Sequence, residues 1–236
     1  VGSDILILRA SREHQGLYPA AFGLPPLNLG VIDSKVPLVT VSSSKEAFNN
    51  VGVQFANFLR ASGDLPASRA IVIVPNWARN KSIGEWVPTN KSPHMWSELQ
   101  RHLALLSALH PSAAIDHIIV AQGEADSSAA STPYNSMQAY ADAFDCLLEQ
   151  FKALPQWRLG VTTVSVQELA RFAGSERWTS RNDAFDRLRD RPPAGVCVVQ
   201  TDGLAESQET RRPHFDGESI VELGARHYLA WRRMRR

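Results

Sequence analysis

Residues 116–126 read Asp116-His117-Ile118-Ile119-Val120-Ala121-Gln122-Gly123-Glu124-Ala125-Asp126. An apolar, β-branched run of strand length ends abruptly in an amide, a glycine and two acids. Such a run suits a strand buried on both faces, as in a parallel sheet covered by helices. The polar residues after it stand where the sheet opens to water. Asp126 or Ser127 capping a following helix, with incidental acids, is an equally good reading of this block alone.

Working outward, further strands are read at Asp4–Arg9, Val36–Val41, Ala70–Pro75, Asp116–Ala121, Leu159–Ser165 and Gly195–Thr201. Between them, residues 47–59, 95–109 and 134–154 repeat apolar positions at helical spacing, and 218–232 form a last helix. This alternation predicts a three-layer α/β/α sandwich around a central parallel sheet, of flavodoxin-like kind. All 236 residues fit one domain, with neither linker nor internal repeat. In such sheets ligands bind beyond the carboxyl ends of the strands. The loops to search therefore follow Arg9, Pro75, Ala121 and Thr201.

Composition excludes several classes. With 44% hydrophobic and 21% charged residues the chain can bury a core without metal or disulfide. A net charge of +1 creates no field for nucleic acid. The longest apolar runs fall short of the roughly 18–20 residues that span a bilayer. Val1-Gly2-Ser3-Asp4 runs straight into a strand, so no signal peptide is read there, and the compartment stays open. Cys146 and Cys197 lie apart from any Cys/His cluster and read as structural thiols. The Arg232-Arg233-Met234-Arg235-Arg236 run reads as a solvated helix end that complements the helix dipole.

Two more loops carry chemistry-bearing residues. Residues 76–86 hold Trp77, Arg79, Asn80 and Trp86; tryptophan there either stacks on a sugar face or covers the core. Pro213-His214-Phe215-Asp216 places a histidine before the last helix, a better general-base position than most, though a lone histidine is usually structural.

Taken together, these blocks resemble the SGNH (GDSL-like) hydrolases, in the branch of sialate O-acetylesterases and other carbohydrate esterases. The resemblance rests on Gly52 before Phe55-Ala56 and on Ser82-Ile83-Gly84-Glu85-Trp86. Gln122-Gly123-Glu124-Ala125-Asp126, its most specific piece, and His214-Phe215 ahead of Glu222-Leu223-Gly224 complete it. It implies a serine esterase acting on O-acetyl groups of a carbohydrate or small molecule, with no cofactor and no metal. Ser11 would be the nucleophile and His214 the base, oriented by Glu209, Glu206 or Asp202, or by a backbone carbonyl in a weaker dyad. Gly52 and Asn80 would hold the oxyanion, and Arg79, Trp86, Gln122 and Glu124 would bind substrate.

The catalytic blocks depart from the family. Aligning the first strand puts Arg12 where the family has its serine, and only a one-residue shift brings Ser11 there. Arg211 stands where the family has the aspartate three residues before its histidine, and Arg79-Asn80 replaces Gly-Gly. Arginine cannot accept a proton from imidazole. The alternative is a catalytically inactive SGNH-like domain that binds a glycan or a protein partner through the same crevice. A purely structural assembly module is a third reading.

Overall fold

The computed structural model describes residues 4–11, 30–32, 39–40, 51–65, 69–76, 81–87, 93–128, 133–173, 176–207 and 214–236. The strands are β1 (Asp4–Ser11), β2 (Gly30–Ile32), β3 (Val39–Thr40), β4 (Arg69–Asn76), β5 (Ala114–Val120), β6 (Thr163–Gln167) and β7 (Val196–Val199). The helices are α1 (Val51–Ala61), α2 (His94–Leu109), α3 (Glu124–Ser128), α4 (Met137–Lys152), α5 (Glu176–Asp190) and α6 (Gly217–Met234). The strands form one sheet in the order β3-β2-β4-β1-β5-β6-β7.

Alternation along the central strands divides the core in two. Ile71, Ile73 and Ile119 face one way and join Phe55 and Leu59 of α1 with Leu223, Tyr228 and Trp231 of α6. Val72, Val74, Ile118, Val120, Val164 and Val166 face the other way, onto Leu99 and Leu103 of α2, Phe144 and Leu147 of α4 and Phe185 of α5. Apolar side chains on both faces of each strand require a helical layer on both faces, so the three-layer α/β sandwich follows. The α1 and α6 helices pack closely at Gly224, where an added Cβ would lie 2.3 Å from Cβ of Gln54. Phe55, Tyr228 and Trp231 pack edge-on or stacked beside that crossing.

Pairing is parallel in β5–β6–β7. Strand β1, by contrast, lies between β4 and β5 and runs antiparallel to both, so the expected sandwich carries a mixed sheet. Asp4 pairs with Asn76 and Ser11 with Arg69, while Ile5 pairs with Ile119 and Arg9 with Ala114. Strands β2 and β3 also pair antiparallel, β2 with β4 and β3 with β2. An apolar run such as Ile5-Leu6-Ile7-Leu8 reads as a strand, but its direction is set by its neighbours. Opposite pairing leaves β4, β5, β6 and β7 running the same way. Asn76, Val120, Gln167 and Val199 therefore end at one edge of the sheet, and Ser11 at the other.

Other boundaries move for local reasons. The strand expected over Leu159–Ser165 begins at Thr163, because Leu159 is 94% exposed in a turn that Gly160 closes at φ +72°. Of the strand expected over Val36–Val41, Val39–Thr40 are described as strand, and 36–38 and 41 lie outside the described residues. The helix expected from Ala47 is described from Val51. Helix α5 had no counterpart in the sequence reading, since its charged residues interrupt the apolar period.

Candidate functional site

The edge formed by the ends of β4 to β7 is built around Gln122. Its side-chain amide donates to Lys81 O and to Asp126 Oδ2, each at 3.1 Å, and its oxygen accepts from the Tyr140 hydroxyl at 3.0 Å. Asp126, 1% exposed, also accepts from Ser82 Oγ at 2.5 Å and from the Ile83 amide at 2.8 Å. Those bonds cap the short 3-10 helix Ile83–Glu85, whose Ser82 oxygen accepts in turn from Gly84 N–H. Gly84 is seated against Tyr134, with room for no Cβ: one would stand 2.6 Å from the ring.

Gly123 follows at φ +128°, a conformation that favours glycine, and a Cβ there would press on Tyr140 and Arg181 at 3.1 and 3.3 Å. Arg181 is buried and donates to the carbonyls of Asp126, Tyr134, Asn135 and Ser136, with its guanidinium 4.2 Å from the Tyr140 ring centre. Burial lowers its pKa from the usual arginine value, against the favourable fields of Tyr140 and Asp126. The Gln122–Asp126 block is thus a tie that fastens the 82–86 segment to the end of β5.

The tie takes in two residues expected to bind substrate. Gln122, proposed as substrate-binding, spends its amide on the protein's own backbone and side chains. Trp86 is 3% exposed and packs with Ile83, Val87 and Met95 in the core, so it offers no face for a sugar. Glu124 opens α3 at the edge and is half-buried.

The loops after β6 and β7 complete the edge. Glu168, fully buried, accepts from Arg171 and Arg189 and from the Thr201 amide. Asn182 holds the peptide of Leu169 by both its amide groups, at 2.8 and 3.0 Å. His214 is half-buried just before α6; its carbonyl accepts from Ser207 N–H at 2.7 Å, and Glu206 bridges Phe215. Phe215 meets Phe172 edge-on at 5.3 Å, which pins this loop to the segment after β6. Asp216 caps α6, accepting from Ser219, and that bond lowers its pKa.

Asp202 was expected beside His214, but its carboxylate faces Arg171 at 3.2 Å and its carbonyl accepts from Arg226. Arg171, fixed by Glu168, competes for it more strongly than a neutral imidazole would. Gly52 is buried in the first turn of α1. Ser11, by the register of β1, stands at the opposite edge from His214. Arg12, Trp77, Arg79, Asn80, Glu209 and Arg211 lie outside the described residues.

Glu168 carries no signal in the sequence, because the apolar run before it reads as a strand ending at Ser165 and its loop falls outside the four that follow the expected strands. His117, Ser165 and His227 are three further polar residues without such a signal, fully buried between the sheet and α6. Burial holds the pKa of His117 well below that of free histidine, helped by the field of His227. Burial lowers His227 to about 3, so both rings are neutral. Among the described residues no group of three or more His, Cys, Asp or Glu is placed to hold a metal ion, and no helix is long and apolar enough to cross a membrane. Both cysteines are free and half-buried. Arg235 folds back from the basic terminus to buried Asp116 at 2.6 Å, so that end is more than a solvated tail.

A search of curated proteins returned no match. Comparison with protein families matches residues 29–232 to the carbohydrate esterases described as sialic acid-specific acetylesterases. Gln122, Glu124, Asp126 and His214 fall inside that span, and β1 with Ser11 falls before it. The chain belongs to the sialic acid-specific acetylesterase family of carbohydrate esterases.

Proposed function

We propose that this domain recognises an O-acetylated carbohydrate at the strand-end edge beside His214 and does not hydrolyse it through a Ser11–His214 pair. The antiparallel register of β1 carries this reading, because it sets Ser11 beside Arg69 and away from the ends of β4 to β7. The sequence supports it: Arg12 stands at the family's serine position, Arg211 at its aspartate, and Arg79-Asn80 at its Gly-Gly. Loss of triad members costs several orders of magnitude in rate. Intact packing around Asp126 and Arg181 preserves the edge as a surface without requiring that it react.

Family membership favours a second reading, a working O-acetylesterase. Ser11 would then reach the edge through a β1 of opposite direction. His214 would take its proton, and the Gly52 amide with the Asn80 side chain would hold the oxyanion.

Hydrolysis of p-nitrophenyl acetate and of an O-acetylated sialic acid by wild type, Ser11→Ala and His214→Ala separates the two, run beside saturation-transfer NMR with the same sugar. Binding with equal, near-background hydrolysis by all three proteins is expected. Turnover by wild type that both substitutions abolish would establish the esterase instead. Absence of both turnover and binding would overturn the carbohydrate reading.

A further inference from the structure

Between the sheet and α6, five side chains form one hydrogen-bonded line that no catalytic role uses. Thr163 Oγ1 lies 2.7 Å from His117 Nδ1, and His117 Nε2 lies 2.7 Å from Ser165 Oγ. Ser165 Oγ lies 2.6 Å from His227 Nδ1, and His227 Nε2 lies 3.4 Å from Gln167 Oε1. Gln167, 8% exposed, is the last residue of β6 and so ends the line at the strand-end edge. The three middle members are fully buried, and Phe55 stacks on the His117 ring at 5.1 Å.

A neutral imidazole donates from one nitrogen and accepts at the other, so each link dictates the next. With Gln167 Oε1 inward, His227 donates from Nε2 and accepts the Ser165 hydroxyl at Nδ1. Ser165 then accepts from His117 Nε2–H, and His117 Nδ1 accepts the Thr163 hydroxyl. A half-turn of the Gln167 amide reverses every bond. Its NH2 donates to His227 Nε2, His227 Nδ1–H to Ser165, Ser165 to His117 Nε2, and His117 Nδ1–H to Thr163. The Thr163 hydroxyl turns to the carbonyl of Asp116, 3.5 Å away. Both directions satisfy every member, whereas a mixed line leaves a buried group unpaired at about 1–3 kcal/mol. Each residue keeps its own proton count; each imidazole moves one proton between its nitrogens, exchanged through water when the edge opens.

We infer that Gln167, Ser165 and the two histidines form a two-state relay in which the polar group meeting Gln167 sets the tautomer of His117 in the core. A ligand acceptor draws the Gln167 NH2 outward and keeps the resting direction. A ligand donor draws Oε1 outward and reverses it.

Long-range 1H–15N NMR of histidine-labelled protein reads each tautomer directly. Wild type and Gln167→Glu, whose carboxylate only accepts, are expected to show Nε2–H at both His227 and His117. Gln167→Lys, whose ammonium only donates, moves both to Nδ1–H, although residue 167 does not touch His117. Gln167→Met, apolar and of similar length, leaves both as tautomer mixtures and decides the matter alone if the lysine variant does not fold. Unchanged His117 shifts across the folded variants, or opposite tautomers at the two rings of wild type, would overturn the relay.

Discussion

Replacing Asp126 by alanine tests whether the Gln122–Asp126 block is a tie or a ligand site. The carboxylate accepts three hydrogen bonds, from Ser82 Oγ, Ile83 N–H and Gln122 Nε2, at 1% exposure. Half-buried Ser82 can turn its hydroxyl to water, so its lost bond costs about 1 kcal/mol. The Ile83 amide and one Gln122 N–H are buried, and leaving each unpaired costs about 1–3 kcal/mol. Asp126→Ala should therefore lose about 3–5 kcal/mol of stability, allowing for partial relaxation. Asp126→Asn can still accept from Ile83 and Gln122 with its oxygen and donate to Ser82 with its nitrogen. It should lose only about 1 kcal/mol, chiefly the charge assistance. Urea unfolding followed by tryptophan fluorescence measures both, with buried Trp86 close to the perturbed segment. An alanine variant within about 1 kcal/mol of wild type would refute the tie.

Three further outcomes follow from the packing. Gly224→Ala drives a methyl onto the backbone of Gln54 and should cost about 1–3 kcal/mol in urea unfolding, despite the roughly 1 kcal/mol helix-propensity gain. Arg235→Ala removes the guanidinium beside buried Asp116, which Trp231 Nε1 also reaches at 3.1 Å, and thermal melts should report a loss of about 1–3 kcal/mol, below that of a fully buried pair because Arg235 is part-exposed. His227 titrates near 3 when folded and near 6.5 when unfolded, so the unfolded chain binds more protons between those values and stability rises with pH across that window. Going from pH 7.5 down to 5 should cost about 2 kcal/mol from this ring. His227→Gln should remove that share, and an identical pH dependence in both proteins would count against it.

The parts legible in the sequence are those fixed by short-range pattern. Ile71 to Val74 and Ile118 to Val120 announce two-sided strands through unbroken β-branching. The edge at Gln122 follows from a buried strand ending in polar residues. What stayed hidden depends on partners distant in the chain. The direction of β1 is decided by β4 and β5, and nothing within Ile5–Leu8 encodes it. Trp86 looks the same in sequence whether it lines a crevice or fills the core; only Val87 and Met95 packing beside it decides for the core. His117 and Ser165 sit within apolar strands, and their meaning appears only when α6 brings His227 to them. Charged helix α5 hides its function in Arg181 and Asn182, whose polar side chains face inward to hold loop carbonyls.

Whether Ser11 can serve the edge beside His214 depends on the direction of β1, and cross-strand backbone NOEs between β1 and β4 read that direction. Contacts that pair Leu6 with Val74 and Leu8 with Val72, in opposite order along the two strands, are expected. Contacts that ascend together along both strands would bring Ser11 to the His214 edge and contradict the account.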